Sequence, residues 1–308
     1  MNTHPVHTGT YLDNLTTESI DPRYRDLDTL SIPDLVVAMN EAEAEVPRAV
    51  RAALPQISNA IEGISGRLAL GGRLFYVGAG TPGRLGILDA SECPPTFSAD
   101  PQLVQGIIAG GLGAIIEAVE GAEDDDAAGA VIVAEHAIGS LDAVVGITAS
   151  GCTPYVLGAV RAARQAGALT AGISCNAAAE LTANVDFGIE IVVGPEILAG
   201  STRLKAGSAQ KQVLNMISTI SMIRLGKTYG NLMVDVHASN SKLRKRAVRI
   251  VQLVTGVDRA LAVSALQSSD YRVKHAILGL RLGLDSEAAD MRLAAVGGRL
   301  RDVLEEST

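Results

Sequence analysis

Two acidic sites in the chain could do proton chemistry. In "LDASECPPTF", residues 88–97, Glu92 precedes Cys93-Pro94-Pro95. The prolines lack amide donors and predict that the preceding helix stops there, with the carboxylate held at its rigid end. A negative charge at a helix C-terminus opposes the helix dipole, so its placement asks for a use. In "AVEGAEDDDAAG", Asp124 to Asp126 read as a solvated helix start, leaving Glu120 and Glu123 as the second acidic site. Two carboxyl groups whose surroundings separate their proton affinities can serve as a general acid and a general base.

Hydroxyl-lined and glycine-lined turns supply a means of holding an anion. "GAGTPG" satisfies G-x-G-x-x-G through Gly78, Gly80 and Gly83, after a predicted strand and before a predicted helix. The next strand, "LVQGIIAGG", ends without the acidic residue that would hold a dinucleotide ribose, so a ligand smaller than a dinucleotide is expected. Thr81 and Arg84 add a hydroxyl and a guanidinium to a helix N-terminus whose free amides already favour anions. In "GITASGCTPYV", Thr148, Ser150, Gly151 and Thr153 surround a second helix start; capping accounts for Thr153 but not for all three hydroxyls, and a phosphate cradle is expected. "GSTRLKAGSAQK" offers Ser201, Thr202, Arg203 and Lys205, and reads equally as a capped, solvated helix start or as a third ligand group. His237 in "VDVHASN" reads as a hydrogen-bonded structural residue and is left outside the catalytic set.

These residues need a frame. Short apolar runs ending in glycine or hydroxyl residues, "RLFYVGAG", "LVQGIIAGG", "AVVGITASG", "ALTAGISC" and "FGIEIVVG", alternate with helical stretches and predict an α/β fold with a parallel sheet flanked by helices. Residues 31–70 predict two helices covering a face of this sheet, with Pro33 in a first turn after Ser31. Arg203 to Leu225 predicts a long helix with Val213, Met216, Ile217, Ile220 and Ile223 on one face. Residues 241–308 predict short helices separated by Gly256, by Gly279 and Gly283, and by Gly297-Gly298. The expected organisation is an N-terminal segment over residues 1–63, a sheet domain over 64–227 and a small C-terminal helical module over 228–308.

Composition narrows the class of function. The 308 residues are enough for one large domain plus a module, and 47% are hydrophobic, which fits a globular enzyme or binding protein. A net charge of -8, 3% aromatic content and no Trp argue against nucleic-acid binding, which draws on cations and stacking platforms. Cys93, Cys152 and Cys175 show neither metal-ligand spacing nor an even disulfide framework, which predicts reduced thiols in a cytoplasm and no metal site. With no signal-peptide pattern and no long apolar run, a cytoplasmic protein without membrane attachment is expected.

Taken together, "YVGAGTPGRLGILDASECPPTF", "AVEGAEDD", "ITASGCTPYV", "GSTRLKAGSAQK" and "NLMVDVHASNSKL" resemble the N-acetylmuramic acid 6-phosphate etherase family, whose central domain is a sugar isomerase (SIS) domain. The resemblance runs from about residue 17 to the C-terminus. It implies a lyase of peptidoglycan recycling that cleaves the D-lactyl ether of N-acetylmuramic acid 6-phosphate, giving N-acetylglucosamine 6-phosphate and D-lactate, with no metal or organic cofactor. It also implies that Glu92 is the proton donor and Glu123 the second catalytic glutamate, and that the chain is a homodimer. One position departs from the family: its first loop commonly reads Thr-Ser-Gly, whereas Pro82 here brings neither hydroxyl nor amide hydrogen. A sugar-phosphate isomerase and a non-catalytic sugar-phosphate sensor with an SIS domain are the competing expectations.

Overall fold

Five apolar runs become five strands: β1 (Leu74–Gly78), β2 (Val104–Ile108), β3 (Ala143–Ile147), β4 (Leu169–Ser174) and β5 (Phe187–Glu190). In the computed structural model, which describes residues 15–236, 238 and 240–306, they form one sheet in the order β2-β1-β3-β4-β5. The β1–β3, β3–β4 and β4–β5 pairs are parallel, with Gly78 level with Ile147 and Ile147 level with Ile173. From β1 the chain passes to β2 on one side and then to β3 on the other. In an open sheet of parallel strands, that reversal leaves a crevice beyond the carboxyl ends of the two strands. The loops after β1 and β3 open there, and they carry "GAGTPG" and "ITASGCTPYV".

Alternation along the strands sends side chains to two faces. Phe75, Val77 and Val144 pack with α5 (Asp126–Glu135), α6 (Pro154–Gln165) and Leu181 of α7 (Glu180–Ala183). Tyr76 and Ile147, on the other face, lie under Gly86 of α4 (Gly80–Phe97), where an added Cβ would come within 2.9 Å of Tyr76 Cβ. Each such fully buried aliphatic or aromatic side chain contributes roughly 1.5–3 kcal/mol.

The N-terminal stretch forms three helices instead of the two expected: α1 (Ile32–Glu43), α2 (Val46–Ala52) and α3 (Leu54–Ala69). Pro47 and Pro55 each sit in the first turn of a helix, where a missing amide costs nothing, and so they restart the helix twice. Ser31 caps α1 by accepting from Asp34 N, and α3 buries Ile57, Ile61, Ile64 and Leu68. The expected stop at Pro94 also fails: α4 continues through Pro94 and Pro95 to Phe97. The two prolines withhold the amides that would meet the Ala90 and Ser91 carbonyls, but proline's own φ is helical, and α4 carries them within its last turn before ending at Phe97.

The described residues divide into two compact units. One comprises the described residues through Asp89 with Gln105–Ile217, and the other Ala90–Val104 with the described residues from Ser218 onward. The long helix α8 is Lys205–Arg224; Val213 and Ile217 are buried as expected, but Ile220 and Ile223 are exposed, and Leu214 and Met222 are buried instead. The second unit holds α9 (Ser241–Thr255), α10 (Arg259–Ser268), α11 (Val273–Leu282), α12 (Ser286–Ala295) and α13 (Leu300–Glu305). Asn240, Asp258 and Asp285 cap α9, α10 and α12, and Gly256 and Gly283 end α9 and α11 in the left-handed conformation. Gly279, expected between helices, lies inside α11. In this unit Lys274 is buried and donates to Asp235 at 2.7 Å and to the Gly298 carbonyl at 2.7 Å.

Candidate active site

The first loop turns within two residues of β1. Gly80 takes φ +55°, a conformation that L side chains rarely adopt, and α4 begins on it. Helix and strand can approach closely because neither glycine carries a side chain: a Cβ on Gly83 would stand 2.8 Å from the Gly78 carbonyl oxygen. Thr81 is thereby placed in the first turn of α4 at the mouth of the crevice.

The second loop gathers its hydroxyls into one cluster. Thr148 Oγ1 lies 2.6 Å from Thr153 Oγ1 and 3.1 Å from Ser150 Oγ. Gly151 N donates to Thr148 Oγ1 at 3.3 Å, and Cys152 N donates to Ser150 Oγ at 3.3 Å. Thr153 occupies the N-cap of α6, yet its hydroxyl makes no capping bond, so the expected capping role is replaced by the bond to Thr148. Three hydroxyl hydrogens serve two mutual contacts, and at least one is therefore left to donate to a ligand. Gly151, at φ +84°, passes so close to β4 that an added Cβ would lie 2.7 Å from Ser174 Oγ.

The two loops share a cavity of about 400 Å³. Its lining includes Gly80, Thr81, Pro82, Glu123, Thr148, Ser150, Thr153 and Thr202. An adjoining cavity of about 230 Å³ has Gly80, Arg84, Glu120 and Glu123 in its wall. Glu123 thus borders both, in the short turn Ala122–Asp124 that precedes α5. That turn is fixed against the start of α6 by a close helix crossing: a Cβ on Gly158 would lie 2.9 Å from the Asp126 carbonyl carbon and 3.1 Å from its Cγ. Arg84 donates from Nε to the Ile115 carbonyl at 2.9 Å, which orients its guanidinium along the smaller cavity.

Other expected residues fall elsewhere. Lys205 is 1% exposed and borders neither cavity; its ammonium donates to Glu45 at 2.9 Å, while its backbone amide and that of Ala206 donate to Glu196. The helix start that could have held a ligand anion holds the chain's own carboxylates instead. Burial opposes the ionisation of Glu45, yet the bonds from Lys205 and Arg23 outweigh it and hold its carboxyl below the ordinary range. Burial pushes the Glu196 carboxyl up, against the two amides that favour its charge. Ser201 is half-buried beside Thr202 but is not part of the cavity wall. Glu92 is exposed on α4, in the segment that belongs to the second unit. His237 lies outside the described residues.

Sequence reasoning missed the turn Thr16–Glu18 and Asn176. Glu18 borders the larger cavity, and Asn176, 3% exposed, bonds to Thr16 and Thr17. The hydroxyl-rich "LTTES" beside a glutamate was the available signal, but its partner lies 160 residues away. Among the described residues, no group of three or more His, Cys, Asp or Glu could hold a metal ion, and no helix is long and apolar enough to cross a membrane.

Residues 56–164 match the family model of the glucokinase regulatory protein N-terminal SIS domain, and residues 230–281 match that of the C-terminal lid domain of glucokinase regulatory protein. An N-acetylmuramic acid 6-phosphate etherase from Streptomyces avermitilis is 55% identical over 293 residues, spanning 95% of this chain and 94% of its relative. The chain belongs to the N-acetylmuramic acid 6-phosphate etherase family. Another etherase, from Rubrobacter xylanophilus, is 55% identical and spans 96% of this chain and 97% of its own. Among solved structures, a phosphoheptose isomerase from Francisella tularensis superimposes with a TM-score of 0.51 at 20% identity, over 63% of this chain and all of the other, which shows a shared SIS-type fold. In this chain the cavity joins the glycine loop and the hydroxyl loop to Glu123.

Proposed function

We propose that this chain is an N-acetylmuramic acid 6-phosphate etherase, a carbon–oxygen lyase that releases D-lactate and N-acetylglucosamine 6-phosphate in the recycling of peptidoglycan amino sugars. What carries the reading is near-full-length identity of 55% to etherases, in a chain whose phosphate-type loops and Glu123 share one cavity.

An unactivated ether resists direct attack by water because the departing alkoxide is strongly basic. Elimination avoids this difficulty. Opening of the sugar ring makes carbon 1 an aldehyde, which acidifies the proton on carbon 2 and places the lactyl ether on carbon 3 in the β position. Glu123, in the cavity wall, takes the carbon-2 proton, the electron pair forms the carbon 2–carbon 3 double bond, and the carbon–oxygen bond to lactate breaks as an acid protonates the leaving oxygen, the role that the resemblance gives to Glu92. Glu92 then activates water for addition at carbon 3, and Glu123 returns the proton to carbon 2. The phosphate is held by amides and hydroxyls at the starts of α4 and α6, so that binding energy remote from the reacting carbons aligns them. Pro82 contributes apolar wall where a serine would add a hydroxyl.

Incubation with the substrate in deuterated water, following lactate and carbon-2 label together, tests the scheme. Glu92→Gln is expected to lose lactate release by roughly 10²–10⁴-fold while keeping carbon-2 exchange, and Glu123→Gln to lose exchange by a similar factor. Exchange at the wild-type rate in Glu123→Gln would refute the base assignment; exchange without lactate in the wild type would point to an isomerase instead. A homodimer in the cytoplasm belongs to the same proposal. It is supported by the exposed Ile32, Val36 and Val37 of α1 and by three free cysteines, and a single-chain mass in light scattering would remove the dimer.

A further inference from the structure

The larger cavity has a wall that comes from the N-terminal end of the described chain. Thr16–Glu18 is one short 3-10 turn, with Glu18 N donating to the Leu15 carbonyl at 3.1 Å. The side chain of Asn176 fastens it to the hydroxyl loop. Asn176 Oδ1 accepts from Thr16 Oγ1 at 2.8 Å and from Thr17 N at 3.3 Å. Its Nδ2 donates to Thr17 Oγ1 and to the Ala149 carbonyl at 3.0 Å each, and to the Ser150 carbonyl at 3.3 Å. Thr17 is fully buried and Asn176 nearly so, which makes these bonds hard to exchange for water. Glu18 itself is exposed into the cavity, its carboxylate beside Gly200, where an added Cβ would stand 3.1 Å from Glu18 Oε2.

We propose that Glu18 contacts the substrate and sets specificity for an amino-sugar phosphate over a bare phosphate, with Asn176 as the residue that positions it. The inference rests on the sugar-phosphate reading above. The cavity wall carries Glu18, Glu123 and Asp124 and no Lys or Arg. A phosphate or a lactyl carboxylate beside Glu18 would meet like charge, so the anionic ends belong at the amide-rich starts of α4 and α6. What faces Glu18 is the donor-rich part of the sugar. An ionised carboxylate accepts only, and sugar hydroxyls and the acetamido N–H are the matching donors. Because Asn176 bonds both to the turn and to the loop carrying Thr148 and Ser150, it ties the Glu18 acceptor to the phosphate end.

The test compares wild type, Glu18→Ala, Glu18→Gln, Thr17→Val and Thr17→Ser by calorimetry with N-acetylglucosamine 6-phosphate and with inorganic phosphate, and by lactate release. Glu18→Ala is expected to weaken sugar-phosphate binding about tenfold or more while inorganic phosphate binds as well or better. Glu18→Gln is expected to raise KM more than it lowers kcat. Thr17→Val, which removes the acceptor for Asn176 without changing shape, is expected to follow Glu18→Ala, and Thr17→Ser to restore binding. Unchanged sugar-phosphate affinity in Glu18→Ala, or equal losses for both ligands, would overturn the proposal. The two readings separate cleanly. Selective loss in Glu18→Ala with no lactate from wild type supports the contact and removes the etherase; lactate from wild type with unchanged affinity in Glu18→Ala removes only the contact.

Discussion

Replacing Gly158 by alanine separates the effect of a helix crossing from the effect of helix propensity. In an isolated helix, Gly→Ala is favourable by roughly 0.5–1 kcal/mol. At Gly158 the added carbon would overlap the Asp126 carbonyl oxygen and lie 2.9 Å from its carbonyl carbon. The obstacle is backbone, which cannot rotate aside, so α5 and α6 must separate by on the order of 1 Å. Overpacking of this kind costs about 1–3 kcal/mol, and for a unit of this size about 2–4 °C per kcal/mol follows, giving a fall in Tm of about 6 °C. Asp126 opens α5, and Glu123 precedes it by three residues, so the separation moves a carboxylate that borders both cavities. Glu123 is the base proposed above, and a shift of about 1 Å at such a group is worth on the order of 10²-fold in rate. Calorimetric unfolding and kcat/KM for lactate release measure the two effects. Gly66→Ala on α3 is the control, since an added methyl there meets nothing within 4 Å, and it is expected to raise Tm slightly. A Gly158→Ala protein with wild-type Tm and activity would refute the claim that this crossing places Glu123.

Two further outcomes follow from the same geometry. Asp142 accepts from Arg73 N, Nε and Nη2 and from Gly139 N; burial opposes its charge, but these donors outweigh burial and hold its carboxyl below the ordinary carboxylate range. A carboxyl lowered in the folded state adds stability above its unfolded value and loses it as pH falls through the folded one. Asp142→Asn is therefore expected to be about 2 kcal/mol less stable at pH 7, with the gap to wild type closing below about pH 4. A gap independent of pH in chemical denaturation would contradict this. For the thiols, Cys152 borders the larger cavity, whereas Cys175 is buried and pushed up to about 12 by burial and, secondarily, by Glu196. Iodoacetamide at pH 7.5 (a condition chosen within the usual range for thiol alkylation, about one unit below a free thiol's pKa) is expected to label Cys152, with protection by N-acetylglucosamine 6-phosphate. Mass spectrometry finding Cys175 labelled first would refute it.

All five strands were legible in the sequence because each is a short apolar run closed by glycine or hydroxyl residues, and such runs are local. The loops of the site were legible for the same reason: a strand-to-helix turn needs Gly80 at positive φ, and an anion at a helix start needs amides and hydroxyls within a few residues. Where local rules competed, reading by residue type erred. Pro94 and Pro95 were expected to stop α4 but are carried inside it, and Pro47 and Pro55 restart helices that periodicity alone had joined. Lys205 looked free to meet a ligand, and nothing near it in sequence shows that Glu45, 160 residues earlier, takes its ammonium. The sequence by itself determined which segments become strands and which turns bring glycines and hydroxyls to a helix start, because those preferences act over a few bonds. Only the tertiary structure decided that Glu18, Glu123 and Thr153 border one cavity, because that depends on strand order, on helix crossings at bare backbone and on one amide side chain joining distant segments.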